Sequence, residues 1–465
     1  MNTLSLALRN LLRNRRRSLA TLLALAIGAA ALLLFGGYIT NIRYSMQTAY
    51  VRSGGHLQIQ HPDFFLYGNG NPTAYGITGY EKLLAAIGRD AALNSMILVA
   101  TPTLQFLGIA GNYEQGVSRT VVGIGYVAAD IKKMRLWNDF DIGLESPAFL
   151  LDGAAVDAAV VGTGVARVLK LCEPLGVKDC PSPMADAKVE GAAIPSDIAD
   201  LAERTVPAGN PIALTRKARL ELLASSGRGS PNVATLNVLA AEGQGFKELD
   251  EVLVILQLPQ AQKLVYGRAD PRATSIMIQL AHSSQIPEAK VRLQALFTQQ
   301  LPDLPLTVLD FETLNPFYVQ SIQLFNTIFT FIFVLIGGIV LFTVGNTMSA
   351  AVVERTVEIG TLRAIGLRQT GIRQLFVTEG FLLGSVGALV GASTALMVAL
   401  LVNHLGLTWL PPGSSEPLPL ILRVWGEWRT LIGATLGLMA IAVLSAWFPA
   451  FRAARLKIVD ALRHT

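Results

Sequence analysis

Only two cysteines and five histidines occur in 465 residues, and none stands in a spacing that builds chemistry. With no C-x-x-C and no H-E-x-x-H, the zinc sites of structural ribbons and of zincin peptidases are not legible. His56, His61, His282, His404 and His464 are scattered along the chain. No G-x-x-x-x-G-K-[ST] loop is present, so the phosphate cradle of an ATPase is missing. Gly162-Thr163-Gly164 lacks the third glycine and the acidic partner of a dinucleotide site, and reads as a tight turn feeding a helix over 165–171. No catalytic residue, metal ligand or directly bound cofactor is assigned. The chain also lacks a basic patch interleaved with aromatics, so nucleic acid is not an expected partner.

Charge itself is missing from four long stretches. Ser18 to Ile42, Thr313 to Val353, Gly380 to Ser415 and Thr430 to Phe451 contain no Asp, Glu, Lys or Arg. A helix needs about 20 apolar residues to cross a bilayer, and each stretch supplies them. With 51% hydrophobic but still 15% charged residues, the chain is too apolar for an ordinary soluble protein and too polar to be all membrane. The expected architecture is an α-helical membrane protein with four transmembrane helices (18–42, 323–349, 376–402 and 430–451) and a large α/β extracytoplasmic domain (43–322) inserted between the first two. The first apolar run exceeds the roughly 7–15 residues of a signal-peptide core, so an uncleaved anchor is expected.

Orientation follows from the cations. Arg9, Arg13, Arg15, Arg16 and Arg17, then Arg355, Arg363, Arg368 and Arg373, then Arg452, Arg455, Lys457 and Arg463 fall on one side; the short 403–429 loop has Arg423 and Arg429. Basic flanks stay cytoplasmic, which puts 1–17, 350–374 and 452–465 inside. The +5 formal charge reads as topology and attraction to lipid headgroups. Trp409, Trp425, Trp428 and Trp447 stand near span ends, as interfacial or as packing residues.

In the outer segment, 56–60, 95–109, 154–161, 273–281 and 306–311 read as strands, 80–88 and 286–301 read as helices, and 252–258 is an apolar run. Pro102 marks an edge or bend. The two ends are expected to fold together around an inserted subdomain at about 128–267. Cys172 and Cys180, eight positions apart, permit a disulfide in an oxidising compartment; the alternative is two unpaired or buried thiols. The aromatic run Asp63 to Tyr67 reads as domain core, with an apolar cargo surface as the alternative.

The most specific segment lies between spans two and three, from Glu354 to Gly366. On one helix, Glu354 and Glu358 would share a face while Ile359, Leu362 and Ile365 form an apolar stripe, with Gly366 placed to end it. A solvated amphipathic helix on the inner leaflet is the plain reading, yet carboxylates gain nothing from an anionic leaflet, so a protein partner fits better. Within span three, Gly384, Gly387 and Gly391 permit close helix approach, inside the chain or across a dimer. Glu379, about one turn inside the boundary, is expected to reach the headgroups, with a polar contact between helices or a switch element as the alternative.

The run Glu354-Arg355-x-x-Glu358-Ile359-Gly360-x-x-Arg363-Ala364-x-Gly366 resembles the signature of FtsX/MacB-type ABC transporter permeases, LolC/LolE-like ones included. Leu8-Arg9-Asn10-Leu11 with Arg15 to Arg17, and Pro449-Ala450-x-Arg452-Ala453-Ala454-Arg455 with Ala461-Leu462-Arg463, are similar to the family's two termini. Ile458 departs from it, since relatives usually carry proline there. The resemblance implies that Glu354, Arg355, Glu358, Ile359, Gly360, Arg363, Ala364 and Gly366 couple to a separate ABC ATPase subunit, which would hold ATP and magnesium. It further implies a second permease chain, identical or not, and mechanical transmission through the helix extensions at 39–50 and 314–323. The cargo would be lipoprotein, lipid-like or amphipathic, handled at the outer leaflet of a bacterial inner membrane. Drug or peptide export with a periplasmic adaptor, or FtsX-like regulation of a hydrolase, are the alternatives.

Overall fold

The computed structural model describes residues 3–13, 15–143, 148–177, 180, 218–225, 230–244, 247–409 and 418–456. Most of the polar stretch between 173 and 232, and the final Ala461-Leu462-Arg463 with Ile458 and Lys457, lie outside the described residues. The chain divides into two compact units: one of residues 1–46, 316–409 and 418–465, the other mainly of residues 47–315.

The first unit is helical. Four helices are long and apolar enough to cross a membrane: Arg15–Gly54, Pro316–Glu354, Gln369–Leu405 and Trp428–Ala454. They are called here the first to fourth long helices, and a shorter amphipathic one, Thr3–Arg13, precedes them. The first has 40 residues without a break, about 60 Å of rise. Inside lipid, where apolar burial offers little preference between helix and tail, association depends on close packing. Glycine supplies it. A Cβ at Gly384 would stand 2.8 Å from Ala442 Cβ, and one at Gly391 would stand 2.5 Å from the Ala26 carbonyl oxygen; Gly387 abuts Leu25. The glycines of the third helix thus serve contacts inside the chain, to the fourth and first helices. Thr21 and Thr347 hydroxyls, 2.8 Å apart, join the first helix to the second, and the Ser445 hydroxyl donates to the Leu341 carbonyl. Trp409, Trp425, Trp428 and Trp447 are exposed, which favours the interfacial reading over packing.

The second unit is a mixed α/β domain. Its strands are β1 (Leu57–Gln60), β2 (Ile77–Thr78), β3 (Ile97–Asn112), β4 (Val117–Tyr126), β5 (Ala158–Gly162), β6 (Arg219–Ser225), β7 (Pro231–Glu242), β8 (Leu253–Gln257), β9 (Arg272–Ala273), β10 (Ser275–Leu280) and β11 (Thr307–Asp310). The antiparallel order β11-β1-β10-β3, with helices Tyr80–Arg89 after β1 and Ile286–Gln300 after β10, is a split βαβ arrangement of ferredoxin-like type. Leu83, Ile87, Leu293 and Phe297 from those helices pack on Leu57, Ile59, Ile276 and Ile278. Pro102 sits where β3 passes from its pairing with β10 to its pairing with β4, the one place where its missing N–H is harmless.

Beyond Pro102 the strands curl. β3 pairs β4, then β8, β5, β7 and β6 follow, and β6 bonds back to β3 at Gly108 to Gly111. A six-stranded ring closes, which removes exposed edges. Leu104, Phe106, Leu220, Leu222, Leu236 and Val254 are among the residues of its core. Cys172 and Cys180 form a disulfide with their Cα atoms 6.3 Å apart. The Asp63 to Tyr67 run is not domain core: the helix Phe64–Tyr67 buries none of its residues. Leu66 and Tyr67 are exposed, and Phe64 and His61 lean on Tyr75 instead.

Candidate coupling site

The segment from Glu354 to Gly366 bends rather than running as one helix. The second long helix closes at Glu354; Arg355 leaves helical dihedrals (φ −108°, ψ 20°), and a short elbow helix runs from Thr356 to Ala364. Thr356 Oγ1 bonds back to the Val352 carbonyl, a contact that favours bending. At the far end Gly366 has φ +105°, its N–H donates to the Arg363 carbonyl, and the Leu367 N–H donates to the Leu362 carbonyl. This is a Schellman ending, and it needs a residue without Cβ at that φ.

The bend redistributes the residues. Ile359, 3% exposed, belongs to the core with Met348, Ile372 and Phe376, and Leu362 packs against that cluster. Ile365 is 80% exposed. The expected stripe therefore splits between inside and outside, because Ile365 is the residue that caps the elbow's end and stands about 120° around the helix axis from Ile359. Gly360 is buried, whereas Glu354, Glu358, Ala364 and Gly366 are exposed. Val353 and Val357 are exposed as well. Arg363 donates to the Leu456 carbonyl and ties the elbow to the end of the fourth long helix.

Arg355 is the least expected member. It is 5% exposed and its Nη1 lies 3.1 Å from Glu379 Oε1. Glu379, 1% exposed, does not reach for headgroups. A lone carboxylate in an apolar bundle is costly, and here it has two donors, since Asn10 Nδ2 also bonds Oε1 at 2.6 Å. Arg355 Nη2 in turn donates to the Asn10 carbonyl at 3.0 Å. Outside this buried knot, Arg13 pairs with Glu358 at 2.6 Å and Arg17 with Glu354 at 2.7 Å. The two elbow carboxylates are thus met by the chain's own N-terminal arginines. Sequence reasoning did not pair those arginines with the elbow; for the buried Arg355, the available signal was Glu379, a carboxylate within a span, which demands a buried cation.

The elbow, Arg355 and Glu379 sit in the segment that also carries the relationship to known proteins. Residues 327–458 match the FtsX-like permease C-terminal family. Over those residues the chain is of the FtsX-like permease type. It is 29% identical over 199 residues to the uncharacterized ABC transporter permease YvrN of Bacillus subtilis, covering 41% of this chain and 44% of that protein. It is 26% identical over 218 residues to an uncharacterized ABC transporter permease of Methanocaldococcus jannaschii, covering 46% and 51%. It is also 36% identical over 143 residues to the macrolide export ATP-binding/permease protein MacB of Escherichia coli strain K12, covering 31% and 20%. The permease therefore spans about half, or less, of the length of these curated relatives. Among its described residues, no cluster of three or more His, Cys, Asp or Glu is placed to hold a metal.

Proposed function

We propose that this permease is the membrane subunit of an ATP-driven ABC transporter whose ATPase is a separate polypeptide seated on the elbow. The observation that carries the reading is the exposed apolar surface of Val353, Val357, Ala364 and Ile365 in the segment that matches the permease family. Water-facing aliphatic groups at a helix end, braced by buried neighbours, suit a protein partner. ATP and magnesium would be held by that partner. A second permease chain completes the assembly, the inner membrane of a bacterium is its place, and the 47–315 unit faces the periplasm. The Cys172–Cys180 disulfide supports an oxidising compartment for that unit.

The transport mode is mechanical. Apart from Glu379, which is neutralised by Arg355 and Asn10, the dense parts of the spans carry no charge, and an aqueous route for ions has nothing to line it. Cargo is lipoprotein or lipid-like material taken up at the outer leaflet; the exposed Leu66 and Tyr67 are available to apolar groups. The likeness to a protein named for macrolide export favours drug export with a periplasmic adaptor as the second reading.

Affinity purification of the intact chain from its native membrane, followed by mass spectrometry, tests both. A co-purifying ATPase with lipoprotein or lipid supports the first cargo reading, and an adaptor protein supports the second. Ile365→Glu should release the ATPase while leaving insertion intact. Retention of the ATPase by that variant, or absence of any ATPase from the wild-type preparation, would remove the elbow assignment. Lysines at Glu354 and Glu358 are a poorer test, since they also cut the pairs with Arg17 and Arg13.

A further inference from the structure

We propose that residues 3–13 and 15–17 and the elbow form a single rigid body, and that this ionic clasp makes the first long helix move with the elbow although the two are far apart along the chain. The proposal rests on the transport reading above for its purpose, but not for its geometry.

The elbow is continuous in the chain with the second long helix through Arg355 and with the third through Gly366 to Arg368. The first long helix is more than 300 residues away in sequence from the elbow, and a displacement received there reaches it through contacts in space. Four polar contacts bridge the two, Arg13 to Glu358, Arg17 to Glu354, Asn10 to Glu379 and Arg355 to the Asn10 carbonyl, and Arg355 to Glu379 locks the elbow side. They span residues 10 to 17 on one side and 354 to 379 on the other. The buried members set the register, because a charge withdrawn from water keeps its partner over a narrow range of geometry. The outer two resist rotation about that knot. Arg17 already lies within the first long helix, which continues without interruption to Gly54. Its hydroxyl contact between Thr21 and Thr347 adds a link to the second helix one turn further along. Asn10, Arg355 and Glu379 are positioning residues in this scheme: they hold the joint together and touch no cargo.

Charge reversal with rescue tests the clasp in the intact chain. Nitroxide labels are placed at Arg9→Cys and Thr361→Cys, which line one groove between the N-terminal helix and the elbow. The two native cysteines are paired and give no background. In nanodiscs, the dipolar broadening between the labels should be lost in Arg13→Glu/Arg17→Glu, which sets like charges against Glu358 and Glu354. It should return when Glu354→Arg and Glu358→Arg are added. Unchanged broadening in the first variant, or no recovery in the second, overturns the clasp. A second arm uses the complex with its co-purified ATPase, comparing nucleotide-free with ATP and vanadate. Constant broadening supports a single rigid body, and separation of the labels contradicts it. Because the first arm needs no ATPase, failure of the clasp and failure of the transporter reading give different results.

Discussion

At its start the first long helix is held by ion pairs, and at its end by hydrogen bonds that pair no opposite charges. Arg13, Arg17 and the Arg355–Glu379 knot fasten the beginning. The end lies within the 47–315 unit and is followed by Gly55, where φ is +76° and a Cβ would stand 2.7 Å from the Ile278 carbonyl oxygen. There the fully buried His56 accepts from the Leu280 N–H at 3.0 Å and lies 3.2 Å from the Ser283 hydroxyl, its ring edge-on to Trp137. Gln279 Nε2 bonds the Val51 and Met134 carbonyls, and Arg52 donates to the Trp137 carbonyl. Long charged side chains around a buried knot hold the beginning over a narrow range of geometry, and short bonds to backbone hold the end to its own strands. The contrast teaches that one helix is fastened at both ends by different means.

The sharpest way to break the contrast is to remove a buried charge. Glu379→Ala leaves the Arg355 guanidinium without its carboxylate and should cost about 3–5 kcal/mol, read as a fall in thermal stability of the chain in nanodiscs. A loss under about 1 kcal/mol would mean that water already reaches the knot. At the neutral end, burial pushes His56 down to about 4, against a slight opposing pull from Asp139. The folded value lies below the unfolded one, so as pH falls the unfolded chain takes up the proton first. Stability is therefore full above about 6.5 and declines by about 3 kcal/mol on the way to pH 4. Hydrogen exchange of β1 and β10 should accelerate over that window, and His56→Gln should flatten the dependence.

Packing between the two ends gives a smaller effect. Gly391→Ala pushes a methyl into the Ala26 carbonyl and Ala29 and should cost about 1–3 kcal/mol. Gly433→Ala, with open space around it, should be neutral or slightly stabilising; equal losses in both would deny that the glycines of the third helix are contact points. Least of all, Arg13→Ala should change stability by about 0–1 kcal/mol, because both partners of that pair are half exposed. Its effect belongs to transmission, and 1 M salt should weaken the pair in the wild type as well.

The spans were legible because absence of charge over about 20 residues has one physical reading. Strands at 57–60, 275–280 and 307–310 and the helix at 286–300 were legible from alternation and periodicity. The ring was not: β3 meets β6 across more than 100 residues, and no local pattern announces a partner at that separation. The elbow segment was singled out by its motif, yet its geometry was misread where Arg355 breaks the helix, since a periodicity argument assumes the helix it describes. Glu379 was judged by its distance from a boundary, when its two donors lay at Asn10 and Arg355. Asp63 to Tyr67 was read as core from composition alone, and nothing in those five residues says which way the loop faces.

Hydrogen exchange on the purified complex tests most directly whether the elbow drives the outer unit. Trapping with ATP and vanadate should change protection of β1, β10 and β11 relative to the nucleotide-free state, and Ile365→Glu should abolish the change. Outer strands indifferent to nucleotide in the wild-type complex would contradict mechanical coupling through this chain.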